Sequence, residues 1–386
     1  MMSVIWLLLA VALGVATIVL LTRLASGMRR PPPLEPVLDL LTHTSVSVVV
    51  PARNEARRIG PCLAGLRAQR SPLVEVLVVD GGSTDGTREL VSRAAAEDPR
   101  IVLVDEPPRE SGAVGRPWAL HHGFTMARGE WVMSVDADAV PAEGMIASAV
   151  QAAERHDLDA LSLGPTIVAP GAWARWLQPA FLTTLIYRTG APTPEPRDPS
   201  RVLANGQAML MRRAALERIG GYVVAARSFC DDVTVARALA SSGGRVALLD
   251  GRRLLTVEMY ASGRETWRAW PRSVNLRDGT SAGRRWLDAL LLVLAQALPL
   301  PLLLTLLLTS RWPPPTIIHV LLILCAALLA IRFIVLFATS ASFRPRGAAY
   351  WLSPLADGAA VGRVVQLMFV RGREWRGSAG SRKTPA

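Results

Sequence analysis

The stretch Trp131-Val132-Met133-Ser134-Val135-Asp136-Ala137-Asp138-Ala139-Val140-Pro141 is an apolar run that ends in two aspartates one residue apart. Alternate side chains of an extended chain share a face, so both carboxylates can aim at one point where a strand gives way to a loop. Two adjacent anions repel unless a positive charge sits between them. Hard divalent cations such as Mg²⁺ or Mn²⁺ prefer carboxylate oxygen and complete their shells with substrate phosphates. The spacing points to a nucleotide-linked substrate, with a solvated loop that holds two aspartates as the alternative for the tripeptide taken alone.

Upstream units have a matching form. Val46 to Val50 is a short β-branched run that breaks at Pro51-Ala52-Arg53-Asn54-Glu55, and Ile59, Leu63 and Leu66 then recur at helical spacing over Ala56 to Leu66. Val74 to Val79 reads as a second strand with Glu75 as its one charge, closing on Asp80-Gly81-Gly82-Ser83-Thr84-Asp85-Gly86-Thr87. The glycines allow a tight turn, and Ser83, Thr84 or Asp85 can cap a helix starting near Thr87. A third strand fits Ile101 to Val104, and a helix around Pro117 to Ala127 leads into the Asp136 strand. Strands alternating with helices predict an α/β fold with a mostly parallel sheet covered on both faces, with ligands bound at the carboxyl ends of the strands. Glu55, Asp80, Asp136 and Asp138 all fall at such ends.

With these residues in order, the segment from about Ser45 to Leu249 resembles glycosyltransferase family 2, whose catalytic domain has the nucleotide-diphosphosugar (GT-A) fold. The matching residues are V-S-V-V-V-P-A-R-N-E, V-L-V-V-D-G-G-S-T-D-G-T, G-R-P-W-A-L-H-H-G, V-D-A-D and C-D-D-V-T-V-A-R. The resemblance implies that Pro51, Arg53, Glu55 and Asp80 bind the nucleotide sugar, with Glu55 and Asp80 as hydrogen-bond acceptors at base and ribose. Asp136 would reach the ribose or the metal, and Asp138 the metal on the diphosphate. Arg116 stands where many relatives carry Lys and would meet the diphosphate. Asn205, Gly206 and Gln207 resemble the acceptor and sugar side of the pocket. An acceptor hydroxyl is a poor nucleophile until its proton is removed. The family's usual Glu-Asp pair, whose second acid is the base of an inverting displacement, is Asp231-Asp232 here. Asp232 would be the base, and Asp231, shorter than the usual Glu, would have a supporting catalytic role. Capping of a helix N-terminus is the plain alternative for either aspartate. His121 stands in the usual Asn place. Met259-Tyr260 and Trp267 through Trp270 resemble a stretch of membrane-bound relatives acting on carotenoids or hopanoids, and interfacial aromatics would look the same.

Val4 to Thr22, Ala289 to Thr309 and Pro313 to Ile331 contain no charged residue, and each is long enough to cross a bilayer. The first lacks the basic start of a signal peptide and reads as an anchor. Pro299 and Pro301 would kink the second span, and Arg332 would end the third by snorkelling to the interface. Arg23, Arg29, Arg30, Arg284, Arg285, Arg344 and Arg346 flank the spans on one side, against Arg311 alone on the other. The positive-inside rule therefore puts residues 29 to 286 in the cytoplasm. The net charge of +12 suits an anionic bilayer, and no basic run with interleaved aromatics supports a nucleic-acid partner. Cys62, Cys230 and Cys325 have neither metal-ligand spacing nor the pattern of a disulfide framework.

The predicted organisation is an anchor over 1–28, a Pro-rich linker over 29–44, a GT-A catalytic domain over 45–286 and two membrane helices over 287–340. An interfacial helix and a basic, disordered tail would follow over 341–386. Asp357, Arg363 and the prolines and glycines of Tyr350 to Val370 argue against a fourth span. Pro192 to Pro199 reads as a mobile loop. The expected function is inverting, metal-dependent transfer of a sugar from a nucleotide-diphosphate sugar to a carotenoid- or hopanoid-like lipid at the cytoplasmic membrane face. A processive polysaccharide synthase is one alternative, although Ala282 replaces the Gln of its usual Gln-x-x-Arg-Trp. A non-catalytic membrane scaffold is the other.

Overall fold

The computed structural model describes residues 2–25, 27, 31–40, 43–194, 198–308 and 315–369. The predicted basic tail, Arg29, Arg30, Arg311 and the middle of the Pro192 to Pro199 loop lie outside the described residues. The chain opens with helix α1 (Met2–Leu24). The α/β part then runs β1 (Val46–Ala52), α2 (Ile59–Arg67), β2 (Leu73–Asp80), α3 (Thr87–Glu97), β3 (Ile101–Asp105), α4 (Gly115–Met126) and β4 (Trp131–Val135). It continues through β5 (Ala139–Pro141), α5 (Met145–Arg155), β6 (Ala160–Gly164), β7 (Thr166–Val168) and α6 (Ala172–Thr189). Next come β8 (Ala208–Arg212), α7 (Arg213–Arg218), α8 (Asp231–Ser241), β9 (Val246–Asp250), β10 (Leu255–Val257) and α9 (Gly263–Val274). The last elements are α10 (Ala282–Leu292), α11 (Pro299–Leu308), α12 (Pro315–Thr339), β11 (Phe343–Arg344), α13 (Gly347–Trp351) and α14 (Asp357–Phe369).

The main sheet has seven strands in the order β3-β2-β1-β4-β8-β6-β9. Every neighbouring pair is parallel except the two that involve β8, which runs antiparallel to β4 and β6. The sheet is mostly parallel, as the alternation of strands and helices predicts. Val46 to Val50 is buried throughout because one core lies beneath the sheet, with Ile59, Leu63 and Leu66 of α2, and another above it, with Leu120 and Phe124 of α4. A Cβ on Gly123 would stand 2.4 Å from Val49, so only glycine lets α4 lie this close to β1. Helix α2 starts at Ile59 rather than Ala56, since residues 54 to 56 are hydrogen-bonded to the loop after β2. A second sheet, β11-β7-β10-β5, takes its edge strand β11 from the chain just after α12. The helical end of the molecule is thereby stitched to the α/β part.

A third core joins Leu13 and Leu20 of α1, Phe181 and Tyr187 of α6, Trp270 of α9 and Leu321, Cys325 and Leu328 of α12. The aromatics of α9, which resemble a stretch of membrane-bound relatives and would look the same as interfacial ones, pack here, with Trp270 buried and Trp267 against it. Among the described residues two helices are long and apolar enough to cross a membrane, Val4–Leu24 and Thr316–Ser342. A third candidate is the pair Ala282–Ala297 and Pro299–Leu308, bent by 44°. The bend falls at Pro299, after a π-helical turn over Val293–Ala297, where proline lacks the N–H that would continue the ladder.

Arg332 departs from its expected place. Helix α12 continues to Thr339, and Arg332 is 1% exposed, with Nε donating to Asp357 at 2.7 Å and Nη2 to Asp357 at 3.1 Å and Ser353 Oγ at 3.1 Å. Gln296 donates to the same carboxylate at 2.9 Å. Asp357, counted from sequence as an interruption of an apolar pattern, is the counterion. A buried arginine needs one, and none lies nearby in the sequence.

Candidate functional site

The site is assembled from chain segments that follow the carboxyl ends of β1, β2 and β4, together with the first turns of α4 and α8 and the loop before β8. Asp80 ends β2 and is 2% exposed. Its carboxylate accepts from the N–H of Gly82 at 3.2 Å, the N–H of Ser83 at 3.1 Å and Nη1 of Arg88 at 2.9 Å. Burial pushes this carboxyl up, but the Ser83 hydrogen bonds and the Arg88 guanidinium outweigh it and hold it below the usual range. Asn54, at φ 57°, ties the β1 loop to the same turn: its N–H donates to Ser83 Oγ and its Oδ1 accepts from Thr84, both at 2.9 Å. Asp85 accepts from Ala56 and from Thr87, so its work is that of a turn residue. Pro51 is half-buried and Arg53 exposed beside Gly81.

Asp136 and Asp138 lie just past β4, in a turn closed by Ala139 N–H to Asp136 O at 3.0 Å. Asp136 takes Nε of Arg116 at 2.8 Å, while Asp138 stands 3.4 Å from Nη1 of Arg58. Arg58 Nε is also 3.4 Å from Glu55, so one guanidinium spans the two acids.

Arg116 is the centre of the better-buried half. It binds Asp136, donates Nη1 to Asp231 and Nη2 to the Gly206 carbonyl at 2.6 Å. Burial pulls this arginine down, but the carboxylates of Asp136 and Asp231 push it further up, so it stays charged. The resemblance assigned Arg116 to the diphosphate; here its donors are committed to two carboxylates and a carbonyl. Gly206 donates its N–H to Asp232 Oδ2 at 2.9 Å, and Gln207 O accepts the N–H of Asp136 at 3.1 Å. A Cβ on Gly206 would stand 2.7 Å from Arg116 Nη2, so the close approach requires glycine. Asn205 donates Nδ2 to Leu163 O and to Gln207 Oε1, both at 3.0 Å. These three residues hold the acids in place from behind.

Asp231 and Asp232 open α8, where the helix dipole favours negative charge. Asp232 Oδ1 accepts from Val233 N–H at 2.8 Å, so it does part of the capping as well. Burial, then the adjacent Asp231, push Asp232 up to about 6, against the pull of Arg116. Burial and Asp138 likewise push Asp136 up to about 6, although Arg116 pulls it down. A carboxylate near 6 is a stronger base than an ordinary one and is still mostly ionised at neutral pH. His121 lies against Gly221 and Phe124 and is kept neutral by burial.

The donor set suits a hard cation. Asp136 and Asp138 retain 26% and 24% side-chain exposure. Magnesium-like ions are held by one or two carboxylates plus substrate phosphates. Among the described residues no three acidic, histidine or cysteine side chains converge as a closed metal cage. Two participants escaped sequence reasoning. Arg58 follows the P-A-R-N-E motif by three residues and gave no signal of its own. Glu106, just after β3, would be 2.8 Å from a Cβ on Gly81 and is raised by burial, with Arg109 at 2.7 Å opposing the shift. Its signal was its position at a strand's carboxyl end.

The sequence model of the family described as "Glycosyl transferase family 2" matches residues 47–220. Among curated proteins, the chain is 49% identical over 80 residues to the succinoglycan biosynthesis protein ExoA of Rhizobium meliloti, covering 20% of this chain and 24% of that one. It is 24% identical over 227 residues to the 4,4'-diaponeurosporenoate glycosyltransferase of Staphylococcus haemolyticus, covering 58% of this chain and 59% of that one. The chain thus spans less than two thirds of the length of these relatives. Among solved structures, the mannosyltransferase PcManGT of Pyrobaculum calidifontis, crystallised with GDP-Man and Mn²⁺, aligns over 95% of this chain and 99% of its own, with a TM-score of 0.53 and 24% identity. That likeness speaks for the fold. Residues 47–220 thus match the sequence model of glycosyltransferase family 2, and the fold that carries them is of the GT-A kind.

Proposed function

We propose that this protein is a membrane-anchored, metal-dependent inverting glycosyltransferase that moves a sugar from a nucleotide-diphosphate donor to a lipid acceptor at the cytoplasmic face of the membrane. The observation that carries the reading is Asp232. It is a carboxylate raised towards 6, oriented by the N–H groups of Gly206 and Val233, and it stands next to Asp231, which Arg116 joins to Asp136 after β4. In a single displacement, Asp232 takes the proton of the acceptor hydroxyl as its oxygen bonds to the anomeric carbon. The bond from that carbon to the diphosphate breaks on the opposite face, and its electron pair leaves with the nucleoside diphosphate. Glu55, Asp80, Pro51 and Arg53 would hold base and ribose. Asp138 and Asp136 would hold Mg²⁺ or Mn²⁺, which when bound supplies positive charge for the departing diphosphate. Gly206, Asn205 and Gln207 would fix the base on the acceptor side.

The likeness to a diaponeurosporenoate glycosyltransferase and to a mannosyltransferase crystallised with GDP-Man and Mn²⁺ supports a nucleotide sugar, a divalent cation and a lipid acceptor. The apolar helices on both sides of the domain support access from the bilayer. The test is release of nucleoside diphosphate by membranes holding the protein, supplied with sugar nucleotide, lipid extract and Mn²⁺ or Mg²⁺. The expected product is lipid heavier by one sugar, and chelation with EDTA abolishes it. Long polymer would favour the synthase alternative, and no turnover with any donor the scaffold.

A further inference from the structure

The exposed apolar side chains of the helical layer run on past the last candidate span. Phe333, Ile334 and Phe337 of α12 are 50%, 65% and 73% exposed, as expected of a helix facing lipid. The chain then turns back and lies along the same helix. Tyr350 Oη donates to Leu336 O at 2.6 Å, and Ser353 and Asp357 meet Arg332 at 3.1 and 2.7 Å. Residues 350 to 357 therefore descend beside the last two turns of α12. Arg332 lies seven residues before Thr339, so at ~1.5 Å per residue the backbone position whose side chain Asp357 binds is about 10 Å from the end of that helix. Within this descending stretch Trp351, Leu352 and Leu355 are 40%, 53% and 60% exposed. Trp176 of α6 donates Nε1 to Leu352 O at 3.0 Å, and its edge-on neighbour Trp173 is 68% exposed. Above them, at the level of the helix end, Arg344 and Arg346 are exposed.

Water is an unfavourable neighbour for so much apolar surface in one place. A bilayer suits it: cations at the head groups, tryptophan beneath them, leucine at acyl depth. We infer that the Trp351 to Leu355 turn, with Trp173 of the α/β part, is sunk into the acyl-chain region of the leaflet on the catalytic side. The sealed contact of Arg332 with Asp357 and Ser353 holds it at that depth. The occupant of the patch is the bilayer itself, and the catalytic domain is embedded in the leaflet rather than tethered above it. This rests on the membrane-anchored reading above, but not on any activity.

Spin labels on single introduced cysteines, in the otherwise unchanged full chain whose three cysteines are buried, test it in phosphatidylglycerol and phosphatidylethanolamine nanodiscs. Leu355→Cys and Leu352→Cys are the sites under test, Ile323→Cys in α12 is the lipid-facing reference, and Leu38→Cys is the reference outside the spans. The expected result is a ratio of oxygen to nickel-complex collisions at 355 and 352 that is several-fold above that at 38 and close to that at 323. Labels at 355 and 352 as wet as 38, with 323 dry, would overturn the inference and leave the anchored reading standing. A wet label at 323 would overturn both.

Discussion

Two arginines, Arg332 buried and Arg116 largely so, each set between groups from distant parts of the chain, do different work. Arg116 joins Asp136, Asp231 and the Gly206 carbonyl; Asp231 is buried at 8% side-chain exposure, but Asp136 keeps contact with solvent at 26%. Arg332 joins Asp357 and Ser353, with side chains of 1% and 5% exposure in the ion pair. A guanidinium fixes carboxylates in position in both cases. Where the acids remain reachable, a substrate or cation can compete for them. Where everything is sealed, the pair sets how helices assemble. The same chemistry thus serves the proposed site in one region and a structural joint in the other, and the exposure of Asp136 is what separates them.

The strongest way to break that comparison is to remove the acid that the first network orients. Asp232→Asn keeps the size of the side chain but not its basicity. Loss of a positioned general base costs about 10²- to 10⁴-fold in rate, so transfer should fall by that factor while calorimetric binding of the sugar nucleotide persists. Full activity in this variant would remove Asp232 from the chemistry.

The sealed pair should respond in stability instead. Arg332→Met leaves Asp357 buried with Gln296 and should destabilise by about 3–5 kcal/mol, as breaking one partner of a buried ion pair does. Replacing both, as Arg332→Met with Asp357→Leu, should restore most of that loss. Thermal unfolding in detergent reads both variants. If the double variant were as unstable as the single one, the pair would not be a joint of the kind described.

How much of this was legible beforehand follows the range of each signal. The strands and their terminal acids were readable because hydrophobic period and turn residues are local: Val46 to Val50 and Asp80-Gly81-Gly82 announce themselves within ten residues. The tie between Arg116 and Asp231 spans 115 residues and that between Arg332 and Asp357 spans 25, and no window contains either. Arg332 was therefore read as the end of a span and Asp357 as a flaw in an apolar pattern. Each label considered one charge at a time. Asp136 and Asp138, a candidate pair for one cation by their spacing, lie in a turn beyond β4 and meet Arg116 and Arg58, contacts that their local sequence does not announce.

A smaller effect separates the two regions through pH. Asp232 stands near 6, raised by burial and by Asp231. A raised carboxylate pKa means the base is lost to protonation as pH falls through that value. Initial rates at saturating donor should drop about tenfold for each unit below 6, whereas an ordinary Asp near 3.9 would hold its rate down to about pH 5. A flat profile from pH 7 to 5 would contradict the environment assigned to Asp232.

The smallest predicted effect concerns Arg58, whose side chain is 37% exposed and only 3.4 Å from both Glu55 and Asp138. Exposed pairs of this kind are worth about 0–1 kcal/mol, so Arg58→Ala should leave unfolding almost unchanged. It should nevertheless free Asp138 of a competing cation, and by the reachable-acid argument the affinity for Mn²⁺ in the presence of nucleoside diphosphate should rise a few-fold. Titration calorimetry measures it directly. Weaker metal binding in Arg58→Ala would mean that this arginine helps to hold the diphosphate, and that its contact with Asp138 is a resting place rather than a rival for the metal.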